Sequence, residues 1–150
     1  MKTAIVVLAV LYVVGDLSNH VKASTPPTVS ELHAYLVEIG VHHPDIVAAQ
    51  ALVESGHFTS RACLDLNNLF GLTRGGDHNG YQIFTDWREC CREYQRQIQL
   101  RYYSGGDYYD FLRCMWRHSD GRCVPYAAEP AYCERVEATR RTQVEPKIKQ

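Results

Sequence analysis

The chain has 150 residues, a formal net charge of −1, 45% hydrophobic residues and 22% charged residues. This length corresponds to one domain with a core of ordinary size, and the composition is that of a globular protein rather than a disordered or fibrous one. A charge so close to zero gives no electrostatic basis for binding nucleic acid or an anionic membrane surface. We therefore expect neither as a partner.

The first 23 residues have the features of a secretory signal peptide. A lysine follows the initiator methionine, residues 3–15 form an apolar run, and residues 21–23 end in alanine before a serine, as at a small-residue cleavage site. The apolar run is about 13 residues long, whereas a bilayer span needs roughly 20. We therefore expect a secreted or periplasmic protein with no stable membrane insertion after cleavage.

Two helices are predicted at the start of the mature chain. Thr28, with Glu31 three residues later, has the pattern of a capping box, and the helix that it opens extends to about Ile39. Pro44 suits the first turn of a second helix. That helix is predicted to end where Gly56 supplies a residue that tolerates the left-handed conformation.

One acidic side chain, Glu54, lies near the end of the second helix among apolar neighbours. Those neighbours are Ile46, Val47, Ala49, Ala51, Leu52 and Val53. A carboxyl group in such surroundings is partly desolvated, which raises its pKa, and the negative end of the helix dipole acts in the same direction. Glu54 is therefore a candidate proton donor, the alternative being an ordinary solvent-exposed glutamate.

The rest of the mature chain is predicted to hold a short helix, a small β-hairpin and three further helices. The short helix covers about 59–66, and the turn-rich segment 74–80 is flanked by apolar residues in a pattern that indicates a hairpin. Start signals for the later helices are present at Asp86, Asp107 and Pro130. Trp87 and Trp116 fit buried stripes of these helices, and we expect a flexible tail over 142–150.

All six cysteines lie after the predicted cleavage site, at Cys63, Cys90, Cys91, Cys114, Cys123 and Cys133. An even number behind a signal peptide favours disulfides, up to three of them. No Cys-x-x-Cys pair is present, which argues against a zinc site. Cys90 and Cys91 would point about 100° apart on a helix, so they are expected to have different partners. The pairing stays open.

Four short segments, in a fixed order along the chain, are typical of one protein family. They are 50–60 (Gln-Ala-Leu-Val-Glu-Ser-Gly-His-Phe-Thr-Ser), 67–71 (Asn-Asn-Leu-Phe-Gly), 81–87 (Tyr-Gln-Ile-Phe-Thr-Asp-Trp) and 126–132 (Tyr-Ala-Ala-Glu-Pro-Ala-Tyr). Together they resemble the glucosaminidase family of peptidoglycan hydrolases. The resemblance implies a mainly α-helical, lysozyme-like domain over 24–141 with a small β-hairpin lobe at the cleft, which the cysteines would staple.

The same resemblance implies a function. It indicates a glycoside hydrolase of the endo-β-N-acetylglucosaminidase type that acts on peptidoglycan or a related polysaccharide containing N-acetylglucosamine. We expect a monomer that needs no metal and no organic cofactor. The family's catalytic glutamate corresponds to Glu54, and two family tyrosines of the site correspond to Tyr126 and Tyr132.

Cleavage of a glycosidic bond needs an acid that protonates the leaving oxygen and, in most enzymes, a second group on the other face of the sugar. Glu54 is the candidate for the first role. Asp77, at the predicted hairpin tip, is the candidate second carboxylate, although an aspartate beside glycines is also a common turn residue. Asp65 and Asp86 are also available, although a capping role at the start of a helix explains Asp86. Tyr126 is the preferred catalytic tyrosine, because Tyr132 follows Pro130 into a helix and is expected to be more buried. Candidate substrate-binding residues are Asn68, Phe70, Tyr81 and Tyr132.

Three alternatives stay open at this point. If no carboxylate fills the second role, the acetamido group of the substrate can act as the nucleophile. A lytic transglycosylase, which closes the sugar on itself, fits the same residues. Because the predicted β-lobe is short, the chain also fits a cell-wall glycan-binding module with weak or no catalytic activity.

Overall fold

The structure is a computed structural model that describes residues 24–74, 80–102 and 105–149. The predicted signal peptide and Asp77 lie outside these ranges. The elements in chain order are α1 (Val29–Glu38), α2 (Pro44–Glu54), α3 (Arg61–Leu66), α4 (Trp87–Gln97), a 3-10 helix (Gln99–Arg101), α5 (Tyr108–Arg113), β1 (Trp116–Arg117), β2 (Cys123–Val124), α6 (Tyr132–Thr139), a π-helix (Arg140–Val144) and α7 (Glu145–Ile148). The predicted fold class, mainly α with a small β-hairpin, is confirmed.

The predicted boundaries of α1 and α2 are confirmed. Thr28 and Glu31 form the capping box, in which each side chain accepts a hydrogen bond from the backbone N–H of the other residue, at 3.2 and 2.8 Å. Pro44 occupies the first turn of α2. The helix ends at Glu54, two residues before Gly56, whose φ of 57° lies in the left-handed region.

Helix α2 is the centre of the hydrophobic core. All its residues from Ile46 to Leu52 are buried, and the helix packs against α1, α6 and the π-helix. Leu32 and Leu36 of α1 are fully buried, as their helical spacing predicts. Because neighbours surround α2 on several sides, the direction in which its last turn presents Glu54 is fixed by packing.

The chain continues as helix beyond α6, although the sequence predicts a flexible tail from Thr142. Val144 is fully buried, and the Ser30 hydroxyl donates a hydrogen bond to a backbone carbonyl of α7 at 3.0 Å. Arg140 forms ion pairs with acidic residues of α2, α6 and α7. This segment is held by the buried side chain of Val144 and by the ion pairs of Arg140. Neither feature produces a helical repeat of apolar residues in the sequence, so the helix was not predicted.

The small antiparallel sheet is not where the sequence predicts it. Strands β1 and β2 pair Trp116 with Val124 and Arg117 with Cys123, and the Cys114–Cys123 disulfide closes this hairpin with the two Cα atoms 4.9 Å apart. At the predicted position around 74–80, the structure has one isolated bridge, between Thr73 and Tyr81. The intervening residues 75–79 are outside the described ranges.

Four cysteines are free thiols in the structure, namely Cys63, Cys90, Cys91 and Cys133, and all four are buried. Burial raises the pKa of the Cys63 thiol to about 11 and that of Cys90 to about 12. These thiols are therefore neutral and poorly nucleophilic. One disulfide staples the described part of the chain, where up to three were expected.

Candidate functional site

The last turn of α2 borders a cavity of about 550 Å³. The other walls are the segment after α3, the end of α4 with the turn that follows, the disulfide-closed hairpin and the loop before α6. The lining residues are Glu54, 70–73, 96–98, Arg101, Met115, Trp116, Tyr126 and Ala127. Glu54 is the single acidic side chain among these described residues.

The Glu54 carboxyl is half-buried, and its pKa is raised, as the sequence predicts. Burial is the main cause, because it disfavours the charged form. A hydrogen bond from Tyr132 and the charge of Arg135 lower the pKa but do not offset the burial. Glu54 therefore stays protonated to higher pH than an exposed glutamate, as a proton donor must.

Gly71 lies beside this carboxyl group, in a backbone conformation that favours glycine. Its φ is 64°, and a Cβ atom placed on it would lie 3.7 Å from Glu54 Oε2 and 3.8 Å from Tyr81 Cε1. The ring of Tyr81, one of the predicted substrate-binding residues, is therefore near the carboxyl group, and 52% of this residue is exposed. Tyr81 is thus an exposed aromatic residue beside the candidate acid.

Tyr132 is the tyrosine whose hydroxyl lowers the pKa of Glu54, through a hydrogen-bonding interaction with the carboxyl group. Tyr132 begins α6 and is buried, and its hydroxyl accepts a hydrogen bond from Gln50 Nε2 at 3.2 Å. Because the hydroxyl oxygen accepts from Gln50, its one proton is available to Glu54. A donated hydrogen bond favours the ionised carboxylate, which explains why Tyr132 lowers the pKa of Glu54.

Tyr126 and Phe70 form a floor of the cavity. The Tyr126 hydroxyl donates to the Phe70 carbonyl at 3.4 Å, and its ring stacks on Tyr132 with centroids 5.5 Å apart. The Phe70 ring is buried and stacks on Tyr94 at 4.1 Å. Tyr126, the predicted catalytic tyrosine, therefore lines the cavity together with Glu54, with its hydroxyl directed at a backbone carbonyl.

A buried chain of hydrogen bonds leads from Tyr132 away from the cavity. Tyr94 donates to Gln50 Oε1 at 2.8 Å, and its oxygen is 2.9 Å from the hydroxyl of Tyr108. Tyr108 must donate in this second contact, because the one proton of Tyr94 is already used. Gln99 Nε2 donates to Tyr108 at 2.7 Å. Every donor in the chain therefore points towards Glu54.

The direction of this chain is set at its far end. Backbone groups just before α2 donate to Gln99 Oε1 at 2.7 Å and accept from Gln99 Nε2 at 3.1 Å, which fixes the orientation of that amide. These residues were not predicted as part of the site. The signal that was present is Gln50 itself, a polar residue in the middle of an apolar helix, because a buried amide requires hydrogen-bond partners.

Asn68, predicted to bind substrate, does not line the cavity. It is 1% exposed, and its amide donates to the carbonyls of Leu72 and Gln82 at 2.8 and 3.0 Å and accepts from the Leu72 N–H at 2.9 Å. All its polar atoms are engaged with the backbone. Asn68 therefore holds together the two segments that carry Gly71 and Tyr81.

No second carboxylate lines the cavity in the described part of the chain. Asp86 caps α4 by accepting from the Glu89 N–H at 2.8 Å, and Asp65 pairs with Arg61 at 3.6 Å, while Asp77 is outside the described ranges. Residues 24–74, 80–102 and 105–149 also contain no cluster of three or more metal-ligating side chains. No helix within these ranges is long and apolar enough to cross a membrane.

Trp116 and two arginines form a further wall of the cavity. The sequence assigns Trp116 to a buried helical stripe, and this is wrong, because β1 carries the residue and leaves it 42% exposed. The guanidinium of Arg101 lies over the Trp116 ring, 4.9 Å from its centroid. Arg96 forms an ion pair with Glu93 at 2.5 Å.

Comparison with known proteins identifies the family. A search of curated proteins found no match, and a search of solved structures found none either. The profile of the glucosaminidase family, described as mannosyl-glycoprotein endo-beta-N-acetylglucosaminidase, matches residues 31–143, which include every described residue of the cavity. That name indicates activity of the glycoside hydrolase type. The chain belongs to the glucosaminidase family.

Proposed function

We propose that the chain is a secreted glycoside hydrolase that cleaves β-1,4 bonds of peptidoglycan after N-acetylglucosamine, with Glu54 as the general acid. The observation that carries the proposal is the half-buried carboxyl of Glu54, with its raised pKa, beside a cavity of about 550 Å³. Membership of the glucosaminidase family supports a glycan substrate. The predicted signal peptide supports secretion.

In this proposal Glu54 protonates the oxygen of the departing sugar as the glycosidic bond breaks. The carboxylate that results is stabilised by the hydrogen bond from Tyr132, which is strongest towards the charged form. The buried chain behind Tyr132 keeps its proton directed at the carboxylate throughout. Burial thus keeps Glu54 protonated before the reaction, and the Tyr132 hydroxyl stabilises the carboxylate that forms when the proton is transferred.

We propose two sources for the second group. Asp77, predicted from the sequence, is one of them. The other is the acetamido group of the substrate, which attacks the anomeric carbon without a second carboxylate from the protein. An Asp77→Asn variant separates them, because it loses most activity if Asp77 is the source and keeps it if the acetamido group is.

The test of the central claim is Glu54→Gln, which keeps the shape of the side chain and removes its proton. We expect the variant to fold with an intact melting transition and to lose at least about 100-fold in the rate of release of reducing ends from purified sacculi. Asp65→Asn, a change at an exposed carboxylate on α3, is the matched control and should retain activity. Full activity in Glu54→Gln would refute the assignment.

The products distinguish the proposed activity from its relatives. Mass spectrometry of digested sacculi should show N-acetylglucosamine at the new reducing ends. N-acetylmuramic acid at those ends would indicate a muramidase, and anhydro sugars a lytic transglycosylase. Binding to sacculi without any new reducing ends would indicate a glycan-binding module. This alternative is motivated by the described cavity residues, which include no carboxylate other than Glu54.

A further inference from the structure

Arg101, which lines the cavity, forms no ion pair with any residue that the structure describes. Arg96 is matched by Glu93 at 2.5 Å, whereas the described contact of the Arg101 guanidinium is with the Trp116 ring. Glu54, the single acidic residue of the described lining, is shifted towards its neutral form. With its acid protonated, the cavity therefore has an excess of positive charge.

The position of Arg101 is restrained from both sides. Arg101 ends the 3-10 helix that follows α4, and the ring under its guanidinium belongs to β1 of the disulfide-closed hairpin. A cation over an indole face is held by the ring quadrupole. A guanidinium held in this way can donate two parallel hydrogen bonds to a carboxylate.

Arg96 lines both this cavity and a second groove of about 460 Å³. The second groove also carries Arg74 and Arg92. Its two acidic residues are already engaged, since Glu89 accepts from the Thr85 N–H at 2.7 Å and Glu93 pairs with Arg96. The lining of the second groove therefore carries three arginines against two carboxylates, a net positive charge next to the cavity of the candidate acid.

We propose that Arg101, held by Trp116, is a carboxylate-binding subsite that makes the cleft prefer glycan strands with carboxylate substituents over neutral ones. This inference rests on the proposed function, which makes the occupant a glycan strand. In peptidoglycan the carboxylate has two sources. It belongs either to the lactyl group of the muramic acid residue or to the peptide that is attached to that lactyl group.

The test measures binding in a Glu54→Gln background, so that no strand is cleaved during the titration. Three probes are used: a neutral oligomer of N-acetylglucosamine, peptide-free peptidoglycan strands with free lactyl carboxylates, and strands with intact peptides. Calorimetry gives Kd for each probe. Adding Arg101→Gln should weaken binding of the carboxylate-bearing strands about tenfold, as expected for one charge-assisted contact, and should lower their preference over the neutral oligomer by the same factor.

Two matched variants complete the test. Arg61→Gln removes the same charge from α3 at a side chain that is 97% exposed, and should keep the preference for carboxylates. Arg101→Lys keeps the charge without the planar fork and should recover part of the affinity. In the unsubstituted Arg101 background, rising salt should reduce the preference, because the contact is ionic and partly exposed.

The binding data distinguish the two sources of the carboxylate. A loss confined to peptide-free strands assigns the subsite to the lactyl carboxylate, and a loss confined to strands with peptides assigns it to the peptide. An unchanged preference in Arg101→Gln overturns the inference, even if the unsubstituted protein cleaves sacculi. If that protein cleaves nothing but its binding depends on Arg101, the proposed catalysis fails and the subsite stands.

Discussion

The Gln50 side-chain amide donates a hydrogen bond to the Tyr132 hydroxyl at 3.2 Å, across 82 positions of sequence. Gln50 and Glu54 lie four residues apart on α2, so they share one helical face, and Tyr132 contacts both. The tyrosine therefore bridges two successive turns of the central helix. This arrangement places the Tyr132 hydroxyl where it lowers the pKa of the Glu54 carboxyl.

The bridge predicts the pH dependence of a Tyr132→Phe variant. The Tyr132 hydroxyl lowers the pKa of Glu54, so its removal should raise that pKa further above the ordinary value. A general acid loses activity as pH rises through its pKa. The basic limb of the profile of kcat/KM against pH should therefore move to higher pH, while the maximum rate falls about tenfold because the carboxylate product loses its donor.

Tyr126→Phe is the matched control for this measurement. Its hydroxyl is also at the cavity, but it donates to the Phe70 carbonyl rather than to Glu54. The basic limb of the Tyr126→Phe profile should stay where the unsubstituted protein has it. If Tyr132→Phe leaves the limb in place, or moves it to lower pH, the assignment of the Tyr132 proton to Glu54 is incorrect.

Two adjacent tyrosines of α5 test the buried chain of hydrogen bonds. Tyr108→Phe removes the donor to Tyr94 and an acceptor of Gln99, leaving buried polar groups unsatisfied, and should lower the free energy of unfolding by about 1–3 kcal/mol. Tyr109→Phe removes a donor to the Glu137 carboxylate, which keeps its ion pairs with Arg140 and Arg141, and should cost less than Tyr108→Phe. Urea denaturation of both variants gives the comparison, and equal losses would contradict a special role for the chain.

The raised pKa of Glu54 also predicts how stability depends on pH. Folding disfavours the charged carboxyl, so the folded protein has a relative advantage below the ordinary pKa of 4.5, where the group is protonated in both states. That advantage is lost as pH rises through the folded-state pKa. Glu54→Gln carries no charge at any pH and avoids the loss.

The melting temperature of Glu54→Gln relative to that of the unsubstituted protein should therefore be higher at neutral pH than at acidic pH. Groups other than Glu54 titrate in both proteins, so their effects cancel in the difference. Asp65→Asn replaces an exposed carboxylate, so the difference in melting temperature between this variant and the unsubstituted protein should change little with pH. A difference for Glu54→Gln that is constant across pH would mean that the carboxyl ionises as it does in the unfolded chain.

The features predicted from sequence are those that depend on neighbours along the chain. The capping box of Thr28, the end of α2 at Gly56 and the desolvation of Glu54 all follow from residues within one helix, and the structure has all three. The features that were missed depend on distant contacts. Gln99 joins the buried chain of hydrogen bonds through Tyr108, and Trp116 is exposed because its segment pairs as a strand instead of continuing α5.

The same distinction explains the position of the β-hairpin. The turn-rich segment 74–80 has the composition of a hairpin, but the strands that form join 116–117 to 123–124, next to a disulfide whose partner choice the sequence left open. A covalent bond between Cys114 and Cys123 makes a strand pair of two residues each possible, where such short strands would not pair stably alone. No local periodicity indicates this constraint.

Removal of the Cys114–Cys123 disulfide is the last test, because this bond holds the cavity wall that carries Trp116. The bond closes a loop with a sequence separation of 9, and its loss in a variant with serine at both positions should destabilise the protein by about 2–3 kcal/mol through unfolded-state entropy. The KM for sacculi should rise several-fold, since Arg101 loses its aromatic support.

A reductant should lower the melting temperature of the unsubstituted protein to that of the double variant. It should leave the melting temperature of the double variant unchanged. A further drop of the variant in reductant would reveal additional disulfides and contradict the free thiols of Cys63, Cys90, Cys91 and Cys133.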